Sequence, residues 1–297
     1  MYHQPALLHE CIEGLSIDPS GIYADLTFGG GGHSRAILEK LNTTGRLIAF
    51  DQDEDALENA IIDERFTMVN ANFRYLKNFL RLHKALPVDG ILADLGISSH
   101  QIDTPTRGFA TRFEGPLDMR MARNQENTAA HMVNTYPEEK LSSVFRLYGE
   151  ISNARQLAAC IVQARIAPIS TTGQFKEAIK PCIPSGFENK YLAQVFQAIR
   201  IEINDEMGAL QAMLKQCADS LKPGGKLVVI SYHSLEDRLV KNYMKTGNFE
   251  GEQEKDFYGN VIAPMKPVTR KPITPSAEEQ KNNPRSRSAK LRIAQKM

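Results

Sequence analysis

The feature that most constrains this chain is the alternation of short apolar runs with amphipathic helical stretches over its first 94 residues. Residues 21–27 read as a strand, the turn Phe28-Gly-Gly-Gly-Gly32 follows, and a helix is expected over 34–41. A second strand over 45–50 ends in Asp51, a helix over 55–62 comes next, and 65–69 is a third strand. Phe73, Leu76, Phe79, Leu80 and Leu86 then recur on one helical face, and 88–93 is a fourth strand ending in Asp94. Parallel strands need such crossovers, and the helices of the crossovers cover both faces of the sheet. The expected fold class is α/β, with a doubly wound, mostly parallel sheet.

The next strand pattern, Lys226-Leu-Val-Val-Ile-Ser231, comes roughly 130 residues after the fourth, where a crossover needs a dozen or so. The span between them reads as helical. Leu141, Val144, Phe145 and Tyr148 follow the i, i+3, i+4, i+7 pattern, with Pro137 at the first turn and Gly149 past the end. Leu157, Ile161 and Val162 mark a further helix, and Leu192, Val195, Phe196, Ile199 and Ile203 a longer one. Leu210, Met213, Leu214, Cys217 and Leu221 mark a last helix, stopped by Lys222-Pro-Gly-Gly225. These stripes are core positions rather than ligand contacts. The expected organisation is a sheet domain of residues 1–102 and 214–297, interrupted by a helical subdomain of 103–213. Near the C-terminus, Lys290-Leu-Arg-Ile-Ala294 alternates in the manner of an edge strand.

The formal net charge of +1 conceals an asymmetry. Residues 264–297 carry +7, which leaves −6 for the rest of the chain. A basic segment on an acidic body suits a polyanion, and equally a solvated tail. The sequence has no apolar run of the roughly 20 residues a membrane span requires, and its first residues lack a secretory signal pattern. Cys11, Cys160, Cys182 and Cys217 are scattered without a C-x-x-C pair; they are expected reduced and mostly buried, in a cytoplasmic protein. No metal site and no membrane partner are expected.

The glycine cluster sits between a strand and a helix, where the backbone turns sharply and a ligand approaches closely. A dinucleotide fingerprint fits Gly29 and Gly31 but finds Ser34 where the third glycine belongs, and no G-K-[ST] is present for a P-loop. Asp51 follows the glycines by about 20 residues, a spacing that places a carboxylate where it accepts the hydroxyls of an adenosine ribose. Asp25 offers a further carboxylate near a cationic ligand. S-adenosylmethionine has no pyrophosphate to bind, so it fits an imperfect fingerprint better than nicotinamide or flavin cofactors do. The turn Lys222-Pro-Gly-Gly225 before an apolar strand points the same way.

With these residues in view, the chain closely resembles the RsmH (MraW) family of 16S ribosomal RNA cytosine-N4 methyltransferases. The resemblance runs end to end. It includes His3-Gln-Pro-Ala-Leu-Leu-His-Glu10, Asp25-Leu-Thr-Phe-Gly-Gly-Gly-Gly-His-Ser34, Asp94-Leu-Gly-Ile-Ser-Ser99 with Gln101, and Arg107-Gly-Phe109. Further matches are Gly115-Pro-Leu-Asp-Met-Arg120, Phe196-Gln-Ala-Ile-Arg200, Tyr232-His-Ser-Leu-Glu-Asp-Arg238 and Asn283-Pro-Arg-Ser-Arg-Ser-Ala-Lys-Leu-Arg292.

The resemblance implies a class I, Rossmann-like methyltransferase that uses S-adenosyl-L-methionine. It would methylate the exocyclic N4 of a cytidine in the P-site or decoding region of small-subunit rRNA, within the assembled subunit and not on DNA. Carried over by motif, the donor would be held by Gly31, Gly32, His33, Asp51, Phe73, Asp94 and Gln101. Phe73 would pack on the adenine; by itself it reads as a core aromatic at a helix start. N4 of cytosine is a weak nucleophile, its lone pair delocalised into the ring, so it needs in-line placement and nearby acceptors. Asp94, Ser98, Ser99 and His233 are the candidates for that pocket. His233 reads equally as a structural histidine, and Glu236, Asp237 and Arg238 as an ion-paired helix start. The target base must leave its stack, and Arg107, Arg112, Arg120, Arg123, Arg285 and Arg287 are expected on the surrounding phosphates. A DNA or small-molecule amino-methyltransferase, and a non-catalytic ribosome assembly factor, remain as alternatives. A nicotinamide oxidoreductase is the least favoured. The sequence leaves the oligomeric state open.

Overall fold

In the computed structural model, which describes residues 5–259 and 262–297, the alternation of apolar residues builds one sheet. Helix α1 (Leu8–Leu15) leads into β1 (Ile22–Asp25), α2 (Gly32–Leu38), β2 (Arg46–Asp51), β3 (Phe66–Asn70), α3 (Leu76–Leu82) and β4 (Val88–Asp94). Six helices follow: α4 (Ser99–Asp103), α5 (Ala129–Thr135), α6 (Glu138–Gly149), α7 (Ala154–Ala164), α8 (Thr172–Ile179) and α9 (Glu188–Asn204). The chain returns to the sheet through α10 (Glu206–Ser220), β5 (Leu221–Ser231), α11 (Ser234–Thr246), β6 (Met265–Pro267), α12 (Ala277–Asn282) and β7 (Lys290–Lys296).

Among the described residues the sheet has seven strands in the order β3-β2-β1-β4-β5-β7-β6, with β7 antiparallel to both of its neighbours. This is the Rossmann-like fold of class I methyltransferases. Successive side chains on a strand point to opposite faces, and both faces are filled. Ala24, Ile48, Phe50, Ile91, Ala93, Leu227 and Val229 enter one core, while Tyr23, Leu47, Leu92, Val228 and Ile230 enter the other. Burying a Leu or Ile side chain fully contributes about 1.5–3 kcal/mol, so this pleat fixes the register strongly.

Three local expectations need correction. The helix expected over 55–62 is a 3-10 stretch, Glu54–Asn59, where the Asp53 side chain accepts the Asp55 amide (3.2 Å). The helix over 73–86 is divided into a 3-10 turn at Phe73–Tyr75 and α3, and Leu86 lies outside it because the following Pro87 disfavours the helical backbone. Strand β7 is not an edge strand: β5 pairs on one side, and on the other the short β6, whose Pro267 hides the pattern. The basic C-terminal segment is accordingly built into the fold, with Leu291 and Ala294 fully buried.

The chain divides into two compact units, Met1–Gly96 with Met207–Met297, and Ile97–Glu206. The division falls a few residues before the expected 103 and 213, because α4 belongs to the second unit and all of α10 after Glu206 to the first. Leu210, Met213, Leu214 and Cys217 of α10 pack into the sheet core. The second unit has a core of its own, including Leu117, Met132, Leu141, Phe145, Leu157, Ile161, Phe175, Val195 and Ile199. Among the described residues no helix is long and apolar enough to cross a membrane.

Candidate active site

Three carboxylates stand at the C-terminal ends of neighbouring strands: Asp25 on β1, Asp51 on β2 and Asp94 on β4. Strand order reverses at β1, and open α/β sheets bind ligands at that crevice. The register places the three close together, since Asp25 pairs with Ala49 and Leu92, each two residues before its strand's aspartate.

Each carboxylate is held in place by neutral donors. Asp25 is 1% exposed and accepts from the Ser34 hydroxyl (2.6 Å) and the Thr27 amide (3.2 Å). The serine that broke the glycine fingerprint therefore has a job, as the partner of a buried acid. Asp51 accepts the Gly29 amide on Oδ2 (2.8 Å) and the Asp53 amide on Oδ1 (2.9 Å), which leaves each oxygen a lone pair for a hydroxyl. Asp94 Oδ1 accepts the Tyr232 hydroxyl at 2.8 Å. Its Oδ2 faces His33 Nδ1 at 3.9 Å, beyond hydrogen-bond reach.

None of the three pairs with a lysine or arginine among the described residues, and burial pushes each carboxyl from an ordinary 3.8 up to about 6. The backbone amides of Asp53 and Gly29 pull Asp51 partly back, and Asp25 repels both Asp51 and Asp94. His33 is itself buried, and its desolvation lowers its basicity against the opposing pull of Asp94. Its Nε2 lies 3.2 Å from the Ala6 carbonyl oxygen, which assigns the proton to Nε2 of a neutral ring. The result is a crevice whose acids have no lysine or arginine partner among the described residues.

The glycine turn is closely packed by the protein's own residues. Gly31 has φ +76°, and a Cβ there would meet Phe28 Cζ at 2.8 Å; one at Gly32 would meet Pro5 Cγ at 2.2 Å. The absence of side chains lets the protein's own residues close on this turn. Residues 3 and 4 of the first family motif lie outside the described residues. Phe73 begins the 3-10 turn after β3 and is half-buried against the sheet core. Beside it, Asn72 Nδ2 donates to Gln52 Oε1 (2.7 Å), which links the turns after β2 and β3.

Two of the pocket candidates are occupied with capping. Ser98 and Gln101 form a capping box at α4: Ser98 Oγ accepts the Gln101 amide, and Gln101 Oε1 accepts the Ser98 amide, both at 3.1 Å. His233 caps α11, with Nδ1 accepting the Glu236 amide at 3.4 Å and Nε2 lying 3.1 Å from Glu236 Oε1. Glu236, 2% exposed, also accepts the Tyr232 amide (3.0 Å). Asp237 pairs with Arg292 (2.7 Å) and Lys290 (3.6 Å) of β7, so this acid ties α11 to the sheet. Ser99 is the first residue of α4. Tyr232 was missed as a site residue; its place in the Tyr232–Arg238 motif was the available signal.

The arginines divide sharply. Arg107 is corrected: it is 4% exposed, and its Nη2 donates to the carbonyls of Arg120 (3.0 Å) and Met121 (3.1 Å), so it is sequestered from phosphates. Arg120 makes a bidentate pair with Asp118 (2.8 Å on each oxygen) and donates to the carbonyls of Arg123 and Gln125. It braces its own loop, where Asn204 also bonds Met119 and Met121. Arg112 is 58% exposed and pairs with Asp103 at 2.6 Å. Arg123 and Arg287 are exposed, and Arg285 is half-buried.

Comparison with known proteins identifies the family. The profile of the MraW methylase family matches residues 1–297. A ribosomal RNA small subunit methyltransferase H from Phocaeicola vulgatus is 58% identical over 297 residues, covering 100% of this chain and 98% of its own. The protein of the same name from Flavobacterium johnsoniae is 57% identical at the same coverage. A solved rRNA methylase from Streptococcus thermophilus aligns over 100% of this chain and 99% of its own, at 13% identity and a TM-score of 0.44, too remote to bear on function. The chain belongs to the MraW methylase family.

Proposed function

We propose that this protein transfers a methyl group from S-adenosyl-L-methionine to the exocyclic N4 of a cytidine in the P-site or decoding region of small-subunit rRNA. The observation that carries the donor assignment is the set of three buried carboxylates without a lysine or arginine partner among the described residues. Charges buried in this way are costly unless compensated, and a ligand bearing a sulfonium and an ammonium supplies the compensation. The donor set therefore fits this ligand. When bound, the donor supplies an electrophilic methyl group. Family membership and the names of the relatives support small-subunit rRNA as the acceptor.

The roles we assign to the chain's own residues follow from their hydrogen bonds. Asp51 uses its remaining lone pairs for the ribose hydroxyls. Asp25, held by Ser34 and Thr27, stays in place as a fixed negative charge. Asp94 is pinned through Oδ1 by Tyr232, and its Oδ2 faces the crevice to draw off the proton that N4 loses. Neutral His33 adds no positive charge that would oppose the donor. Gly31, Gly32 and Phe73 shape the berth, while Gln101, with Ser98, sets the entry to α4. His233 and Ser98 act through capping, and Ser99 is the remaining side chain we assign to the cytosine pocket. For the RNA, the exposed Arg112, Arg123 and Arg287, with Arg285, are the phosphate contacts we retain, and the helical unit is the substrate-recognition element. Such a protein works in the cytoplasm, where its substrate is assembled.

The test is to react the protein and labelled donor with small subunits that lack the modification, and to map the product nucleotide by mass spectrometry. N4-methylcytidine in the decoding region, lost with Asp51→Ala, supports the reading. A methyl group on another atom or another RNA overturns it. Transfer to naked DNA or free cytidine at comparable rates overturns the acceptor assignment alone.

A further inference from the structure

The four cysteines are scattered in sequence, but folding brings two of them together. Cys160, on α7, and Cys182, in the 3-10 turn Lys180–Cys182 after α8, lie with their sulfurs 2.7 Å apart. Both are free thiols.

The contact is held by a built frame. Residues 153, 156 and 160 are spaced along one face of α7 and its N-terminus, and all three hold the turn. Asn153 Nδ2 donates to the Cys182 carbonyl at 2.9 Å, and Tyr191 from α9 donates its hydroxyl to Asn153 Oδ1 at 2.9 Å. The Cys182 thiol also lies 3.6 Å from the Gln156 carbonyl oxygen. Four hydrogen-bonding groups therefore fix the turn in the register that juxtaposes the sulfurs. Accessibility is asymmetric: Cys182 is 3% exposed, whereas Cys160 is half-buried and open to a small reagent. Cys11 and Cys217 are fully buried on the sheet unit, so they do not compete.

We propose that Cys160 and Cys182 form an oxidisable dithiol, a modification site in the helical unit whose co-reactant is a small two-electron oxidant such as hydrogen peroxide. The Cys160 thiolate attacks one peroxide oxygen and the O–O bond breaks, giving a sulfenic acid and hydroxide. Cys182 sulfur then attacks the Cys160 sulfur. The S–S bond forms, the S–O bond breaks, and the departing oxygen takes the Cys182 proton and leaves as water. Two thiols are oxidised and one peroxide is reduced to two waters. Cys160 is the sulfur a small reagent can reach, so it is the attacking thiol, and the buried Cys182 is the resolving one, its group raised by burial and the neighbouring thiol. The new bond closes the segment that carries α8, whose preceding Thr171 bridges to Pro116. A cross-link there restricts the unfolded chain and stiffens this face of the unit. None of this depends on the methyl-transfer reading.

The test uses the full chain treated with stoichiometric hydrogen peroxide, quenched, denatured and alkylated. The four cysteines of the untreated protein all alkylate. After oxidation only Cys11 and Cys217 are expected to do so, with a Cys160–Cys182 linked peptide, a mass lower by two hydrogens, a raised Tm and full reversal by dithiothreitol. In Cys182→Ser the sulfenic acid has no resolving partner, and Cys160 is expected to progress to sulfinic acid. The proposal is overturned if all four cysteines still alkylate, or if wild-type Cys160 is over-oxidised while Cys182 remains reactive.

Discussion

Replacing Asp25 by asparagine separates the cost of the carboxylate crevice from its use. The substitution preserves shape and hydrogen bonding: the new carbonyl accepts the Thr27 amide, and the new amide donates to Ser34 Oγ, which can reverse its role. What changes is charge. Burial raises the Asp25 carboxyl from 3.8 to about 6, so the folded state binds this proton more readily than the unfolded state does. Stability is therefore lost as pH rises from 3.8 through about 6, and the whole penalty is present above that window. At 1.36 kcal/mol per pH unit the cost is about 3 kcal/mol at pH 8 and about 1 kcal/mol at pH 4.5. Without donor, Asp25→Asn is accordingly expected to be more stable than the parent at pH 8 by up to about 3 kcal/mol, an upward Tm shift of roughly 6–12 °C. The gain falls to about a third of that at pH 4.5. Urea unfolding at the two pH values measures it. Saturating S-adenosylmethionine narrows the difference at pH 8, because only the parent offers the charge the ligand compensates. An Asp25→Asn protein that is less stable at pH 8, or whose gain is equal at both pH values, would refute the account of a charge-uncompensated crevice.

Other consequences follow from the same geometry. Asp51→Ala removes the ribose acceptor and the partner of two amides; donor affinity by calorimetry falls about 30- to 100-fold, in line with a lost charged hydrogen-bond pair. Tyr232→Phe takes a donor from Asp94 and raises its carboxyl further, so the acid limb of donor binding moves to higher pH; an unmoved limb counts against Tyr232 as the positioning residue. Arg112→Ala lowers the salt slope of RNA binding by about one unit, whereas Arg120→Ala, whose donors are committed to Asp118 and to carbonyls, lowers Tm and leaves the slope unchanged.

Much of this protein is written locally. The continuous apolar runs of β1, β2, β4 and β5, buried on both faces, and the i, i+3, i+4 stripes of α6, α9 and α10 are direct imprints of burial, so they could be read along the chain. Asp51 and Asp94 were legible for the same reason, because a polar residue ending an apolar strand lies at the sheet's carboxyl edge. Elements set by distant contacts were not legible. Strand β6 is three residues with a proline, and it exists because β7 presents hydrogen-bonding groups to it. Arg107 and Arg112, five residues apart, look alike in sequence, yet one is buried against backbone carbonyls and the other stands in solvent.

The sequence by itself determined the order of β1 to β5 and of the longer helices, the position of the acids and the family. Only the tertiary structure decided which polar groups were already spent. It turned Arg107 onto the carbonyls of Arg120 and Met121, left Asp25, Asp51 and Asp94 without a lysine or arginine partner among the described residues, and brought Cys160 and Cys182 into contact across 22 residues. The physical reason is that a hydrogen bond or an ion pair depends on distance and direction, which a chain acquires only when its remote segments pack.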